Sequence, residues 1–136
     1  ARVEAAGRER YQRTLRNVKR LHDAGIPIAM GTDAGNPLTL HGPSVYLEME
    51  ALQEAGLSPL EVLTAATRNG ALAMGRLNDF GTVERGKIAD LVVLDADPTA
   101  DIRNVRRVAL VVRGGEVWTR RELEYGTAAR AARPAQ

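Results

Sequence analysis

A chain of 136 residues is long enough to bury one core, and its 44% hydrophobic and 26% charged content is the ordinary globular balance. A formal charge of +2 and an aromatic fraction of 4% exclude a nucleic-acid footprint and a base-stacking platform. No cysteine is present, so disulfide frameworks and thiolate metal sites are excluded, and any metal must use His, Asp, Glu or backbone oxygen.

No apolar run approaches the ~18 residues of a membrane span. The chain starts Ala-Arg-Val-Glu, with no charged-then-apolar leader, and reads as the middle of something longer. Residues 1–24 predict an amphipathic helix with Tyr11, Leu15, Val18 and Leu21 on one face; its arginines form a solvated face. Gly25 stops it. His22 has no second ligand at helical spacing, so it is not read as a metal ligand.

Gly25-Ile26-Pro27 turns the chain into an apolar strand, Ile28 to Thr32, which delivers Asp33 to the start of a loop over residues 34–42. Strand ends of this kind are where parallel α/β folds place chemistry. The local sequence by itself favours a plainer role for Asp33, capping a turn or the next helix.

A helix follows from Pro43 to Glu54 or Ala55, striped by Val45, Met49 and Leu52, with Met49 as core filler. Ser58-Pro59-Leu60-Glu61 is a capping-box start. The helix it opens is expected to carry Leu60, Leu63, Ala66 and Thr67 and to break at Asn69-Gly70, before a short turn, Ala71 to Met74, that stops at Gly75. From residue 80 the pattern turns to β, with four short strands at Gly81–Val83, Ala89–Leu94, Val105–Val112 and Glu116–Trp118, the last pair joined by Gly114-Gly115. Trp118 reads as a packing residue. Residues 119–136 are rich in Ala and Arg and read as a short helix or a frayed tail.

One parallel-type strand needs neighbours on both edges, and no βαβ pattern here supplies them. The arithmetic gives an α/β tail segment: the last βα unit of a larger barrel, then a few strands of an appended sheet.

Five stretches then carry a likeness: Gly31-Thr32-Asp33-Ala34-Gly35, His41-Gly42, Leu63 to Ala71, Gly81 to Leu94 with its Gly-Lys-Ile-Ala-Asp-Leu-Val-Val-Leu run, and Val111 to Val117. In that order they resemble the C-terminal quarter of a metal-dependent amidohydrolase of the imidazolonepropionase-like and prolidase-like subgroup. The resemblance implies the end of a (β/α)8 TIM barrel over residues 1–79, a composite β-sandwich segment over 80–118, and a tail over 119–136. It implies that Asp33 is catalytic, binding one of one or two divalent metals, usually Zn2+, and taking the proton of the attacking water. His41 matches a loop position that lines the substrate pocket; a loop histidine bonding backbone is the alternative. Asp90 is expected to hold a turn, and Thr67 and Asn69 to fix a helix junction.

The family's His-x-His, its metal-bridging residue and its two later barrel histidines have no match here. The segment alone is therefore expected to be inactive and to hold no metal. Its implied partners are the remainder of the same barrel and a small-molecule substrate with a C–N bond, either a non-peptide amide, a cyclic amide or a dipeptide. No nucleic acid or membrane is expected; the oligomeric state, a homo-oligomer included, is left open, and a cytoplasmic location is the default. Two alternatives stand beside this reading: a zinc-dependent deaminase of the same superfamily, and a non-catalytic stand-alone binding module.

Overall fold

The computed structural model describes residues 2–37 and 39–125. Four helices lead: α1 (Arg2–Asp23), α2 (Pro43–Glu54), α3 (Pro59–Ala66) and α4 (Arg68–Ala73). Strand β1 (Leu91–Leu94), a 3-10 helix (Ile102–Arg106), β2 (Val108–Arg113), β3 (Glu116–Thr119) and α5 (Arg120–Tyr125) follow. The content is α/β, and the sheet is three-stranded, antiparallel and ordered β1-β2-β3. Among the described residues no helix is long and apolar enough to cross a membrane.

Three helices end by one device. Gly25, Gly56 and Gly75 all sit at positive φ. After α1, Ile26 N–H donates to Leu21 O at 3.1 Å and Gly25 N–H to His22 O at 2.9 Å. Leu57 and Gly56 repeat the pair on Leu52 and Gln53, as do Arg76 and Gly75 on Ala71 and Leu72. Each is a Schellman motif, which satisfies carbonyls the helix leaves orphaned.

The start of α3 is the capping box. Glu61 N–H donates to Ser58 Oγ, and Glu61 Oε2 accepts from Ser58 N–H at 2.7 Å. The Ser58 backbone N–H, and then its hydroxyl, hold the Glu61 carboxyl below the ordinary value of 4.5. That contribution is complete above the ordinary value and fades as pH falls through the lowered one. Ser58→Ala is expected to cost about 1 kcal/mol at neutral pH. Urea denaturation would show it as a lower midpoint, with the deficit shrinking in acid.

The core gathers Leu15 from α1, Leu52 from α2, Ala55, Leu57, Val62 and Ala65 from α3, and Ile102 and Val105 from the 3-10 helix. Residues from the later segment thus share a core with the helices. Arg106 strengthens the join: it pairs with Glu50 at 2.7 Å and lies over the Tyr46 ring at 4.7 Å.

Several expectations change. On α3 the buried positions are Val62 and Ala65, at 0% and 1% exposure, whereas Leu60 is 63% exposed. The break before α4 falls at Thr67 (φ −125°, ψ −83°), and Asn69 and Gly70 lie inside α4. On α1 only Leu15 of the predicted stripe is fully buried; Tyr11 and Leu21 stay largely exposed.

Among the described residues three strands form, not four. Gly81–Val83 joins no sheet, with Val83 85% exposed, and Ile102 to Arg106 coils into a 3-10 helix that sends Ile102 and Val105 inward. The hairpin turns at Gly114-Gly115, pairing Arg113 with Glu116. Asp90 Oδ1 accepts from Gly114 N–H at 2.6 Å, the turn-holding role expected of it. Both sheet faces are apolar: Leu91, Val112 and Val117 align across one, Val92, Val111 and Trp118 across the other. Val92, Val93 and Val117 remain exposed. Of the stretch 119–136, Thr119 closes β3 and α5 spans Arg120–Tyr125; residues 126–136 lie outside the described residues.

Candidate functional site at Asp33

Residues 28–32 run extended without pairing to any strand among the described residues. Two hydrogen bonds fasten them to the helices: Met30 N–H to Ala65 O at 3.0 Å, and Asn69 Nδ2 to Ile28 O at 2.9 Å. Asn69 thus ties α4 to this segment, so it fixes more than the helix junction expected of it. Burial alternates with the two-residue period of an extended chain: Ile28, Met30 and Thr32 are half-buried, Ala29, Gly31 and Asp33 exposed. Asp33 therefore shares the open side with the two smallest neighbours on the segment.

Asp33 is the one described non-glycine residue with positive φ, 51°. Aspartate enters this left-handed region more readily than most residues, and such conformations cluster at functional sites. Asn36 Nδ2 donates to Asp33 Oδ2 at 2.6 Å and to Asp33 O at 3.1 Å. The loop closes on itself beyond, with Thr39 N–H on Asn36 O at 3.0 Å and Gly35 N–H on Thr39 O at 3.1 Å. His41 is exposed at the loop's end, and a Cβ on Gly35 would lie 3.7 Å from its Nε2. His41 is thus folded back over the loop that Asp33 opens, and it has no hydrogen-bond partner among the described residues.

Sequence reasoning passed over Asn36. The signal was present: an amide three residues after the strand-ending aspartate, inside a turn, where Asn side chains habitually bond nearby backbone.

A cleft of about 460 Å3 lies between α1 and α2, lined by Tyr11, Thr32, Ser44, Glu48 and Glu54 among others. It sits on the helix side of Thr32, and Asp33 does not line it. Its polar groups serve packing: Tyr11 Oη donates to Glu54 Oε2 at 2.8 Å, which raises the tyrosine's pKa, and burial raises that of Glu48. His22 is engaged elsewhere, with Nε2 3.3 Å from Glu61 Oε1. Among the described residues no three His, Asp or Glu side chains gather as a metal site. Zinc sites in hydrolases take about three protein ligands. One carboxylate beside an amide does not meet that requirement, so the described residues do not by themselves fit a metal ion.

The Amidohydrolase family model matches residues 5–118. An imidazolonepropionase of Geobacillus kaustophilus is 38% identical over 105 residues, covering 74% of this chain and 24% of that protein. Among solved structures, molinate hydrolase superposes with a TM-score of 0.72 at 30% identity, over 88% of this chain and 29% of that one. A Xaa-Pro dipeptidase with bound methionine in its active site superposes with a TM-score of 0.69 at 28% identity, over 76% of this chain and 25% of that one. The chain spans about a quarter of the length of the curated relatives it matches. The motif order read from the sequence, the extended segment ending in Asp33 and these likenesses agree: the chain belongs to the amidohydrolase family, in the branch of the imidazolonepropionase-like and prolidase-like enzymes.

Proposed function

We propose that this chain is the C-terminal part of a metal-dependent hydrolase of C–N bonds, and that Asp33 is its proton-transferring carboxylate. The observation that carries the reading is Asp33 itself, exposed at the end of an extended segment, in a left-handed conformation, one carboxylate oxygen held by Asn36. Relatives named for imidazolonepropionase and Xaa-Pro dipeptidase activity favour a cyclic amide or dipeptide as substrate. In this reading Asp33 Oδ1 accepts a proton from the water that attacks the carbonyl carbon. It returns that proton to the leaving nitrogen as the C–N bond breaks. His41, folded over the same loop, lines the substrate side.

The amidohydrolase superfamily is generally metal-dependent. We place the ion in the intact enzyme, Asp33 contributing one oxygen and residues outside this chain the remaining ligands. Residues 28–32 then take the place of the last barrel strand, and residues 80–118 join a composite sandwich. Exposed Leu40, Leu47, Leu60, Val92 and Val93 support this, being apolar surface that the rest of a larger body would cover. A stand-alone binding module would bury such groups.

The test assays the intact protein against a panel of cyclic amides and Xaa-Pro dipeptides, following ring opening or amine release, beside its Asp33→Asn variant. Hydrolysis by the parent and its loss in the variant are expected; equal rates would sink the reading. The isolated 136-residue chain is expected to turn over nothing and to carry well under one equivalent of zinc. Plasma mass spectrometry finding a full equivalent would overturn that.

A further inference from the structure

Resting on the reading of Asp33 just given, we propose that Asn36 is the positioning residue for its carboxylate, fixing one oxygen and leaving the other open to substrate. The Asn36 amide holds both ends of Asp33: Nδ2 donates to the side-chain Oδ2 at 2.6 Å and to the backbone carbonyl at 3.1 Å. No other hydrogen bond or ion pair reaches the Asp33 side chain among the described residues.

An exposed aspartate without such a partner spreads over its rotamers, whereas a proton acceptor must be aligned within hydrogen-bond reach of its substrate. Asn36 is itself fixed, because its carbonyl accepts from Thr39 N–H at 3.0 Å and that turn is closed by Gly35 N–H on Thr39 O at 3.1 Å. The turn presents the amide backward onto Asp33, across Ala34 and Gly35, which are too small to intervene.

The choice of an amide is chemically apt. Asn36 donates to Oδ2 and cannot take up the proton that Oδ1 receives, so it orients the base without competing with it. A carboxylate in the same place would repel Asp33 and offer no hydrogen. Loss of a side chain that supports a reacting group in this way lowers activity by about 10–100-fold.

The experiment uses the intact enzyme with a C–N substrate that it hydrolyses, comparing Asn36→Ala and Asn36→Asp with the parent. For Asn36→Ala, kcat is expected to fall about 10–100-fold, with KM within about twofold and the melting temperature nearly unchanged. Asn36→Asp preserves size and turn preference but removes the donor, so it is expected to lose at least as much kcat. Asn36→Ala with a kcat near the parent's overturns the proposal. So does restoration of kcat by Asn36→Asp, since that is what a merely turn-forming residue would allow. Should the alanine variant fail to fold, the aspartate variant decides alone. Asp33→Asn separates the two levels: an active Asp33→Asn brings down the function itself, whereas an inactive one beside fully active Asn36 variants brings down only this positioning role.

Discussion

Asp33→Asn in the intact protein is expected to lower kcat by about 10²–10⁴-fold, the range that a positioned proton-transfer group supplies. An amide of the same shape cannot accept the proton released by the attacking water, so the loss falls on the chemical step and KM moves little. Asparagine is the right probe because it also tolerates the left-handed backbone of Asp33, whereas alanine would add backbone strain to the chemical deletion. The side chain is exposed and packs into no core, so the melting temperature is expected to hold. Steady-state kinetics beside a thermal melt reads both, and a variant with parental kcat removes Asp33 from the mechanism.

The largest expected loss of stability lies far from that carboxylate, at Gly81. Its φ is +100°, and an added Cβ would stand 2.5 Å from the Ala71 Cβ and 3.3 Å from the Thr67 carbonyl oxygen. Ala71 is 1% exposed within α4 and has nowhere to retreat. Gly81→Ala is therefore expected to cost about 2–5 kcal/mol, combining overpacking with an unfavourable backbone conformation. Gly86→Ala is the control: its φ is +90°, but a Cβ there meets nothing within 4 Å. Denaturant midpoints of the two variants isolate the steric part, and equal midpoints would show that the loop after α4 yields to the new methyl.

What the sequence made legible was local. The stops at Gly25 and Gly75, the Ser58–Glu61 box, the Gly114-Gly115 turn and the turn-holding Asp90 each depend on residues close in the chain or on one special backbone angle. The buried side of α3 is not legible locally, because Leu60 looks apolar in isolation and only the placement of Leu15, Leu52 and Ile102 makes Val62 the residue that is enclosed. Likewise Val105 belongs to a β-type run, but its neighbours in space favour a 3-10 coil that drives Ile102 and Val105 between the helices. The stretch Ile28 to Thr32 has the composition and burial rhythm of a strand, yet a strand is a relation between segments, and none of the described residues pairs with it. Asp33 stands out through the resemblance of its motif to a family; Asn36 does not, since nothing in a row of letters says which way an amide turns.

The sheet described above is apolar on both faces, and Val92, Val93 and Val117 stay exposed on it. Apolar surface of this kind is a place where chains associate when it is left uncovered. Cells meet surfaces of this kind with holdase chaperones and degradation, so partial digestion of the intact protein is expected to yield precipitate before it yields a soluble domain.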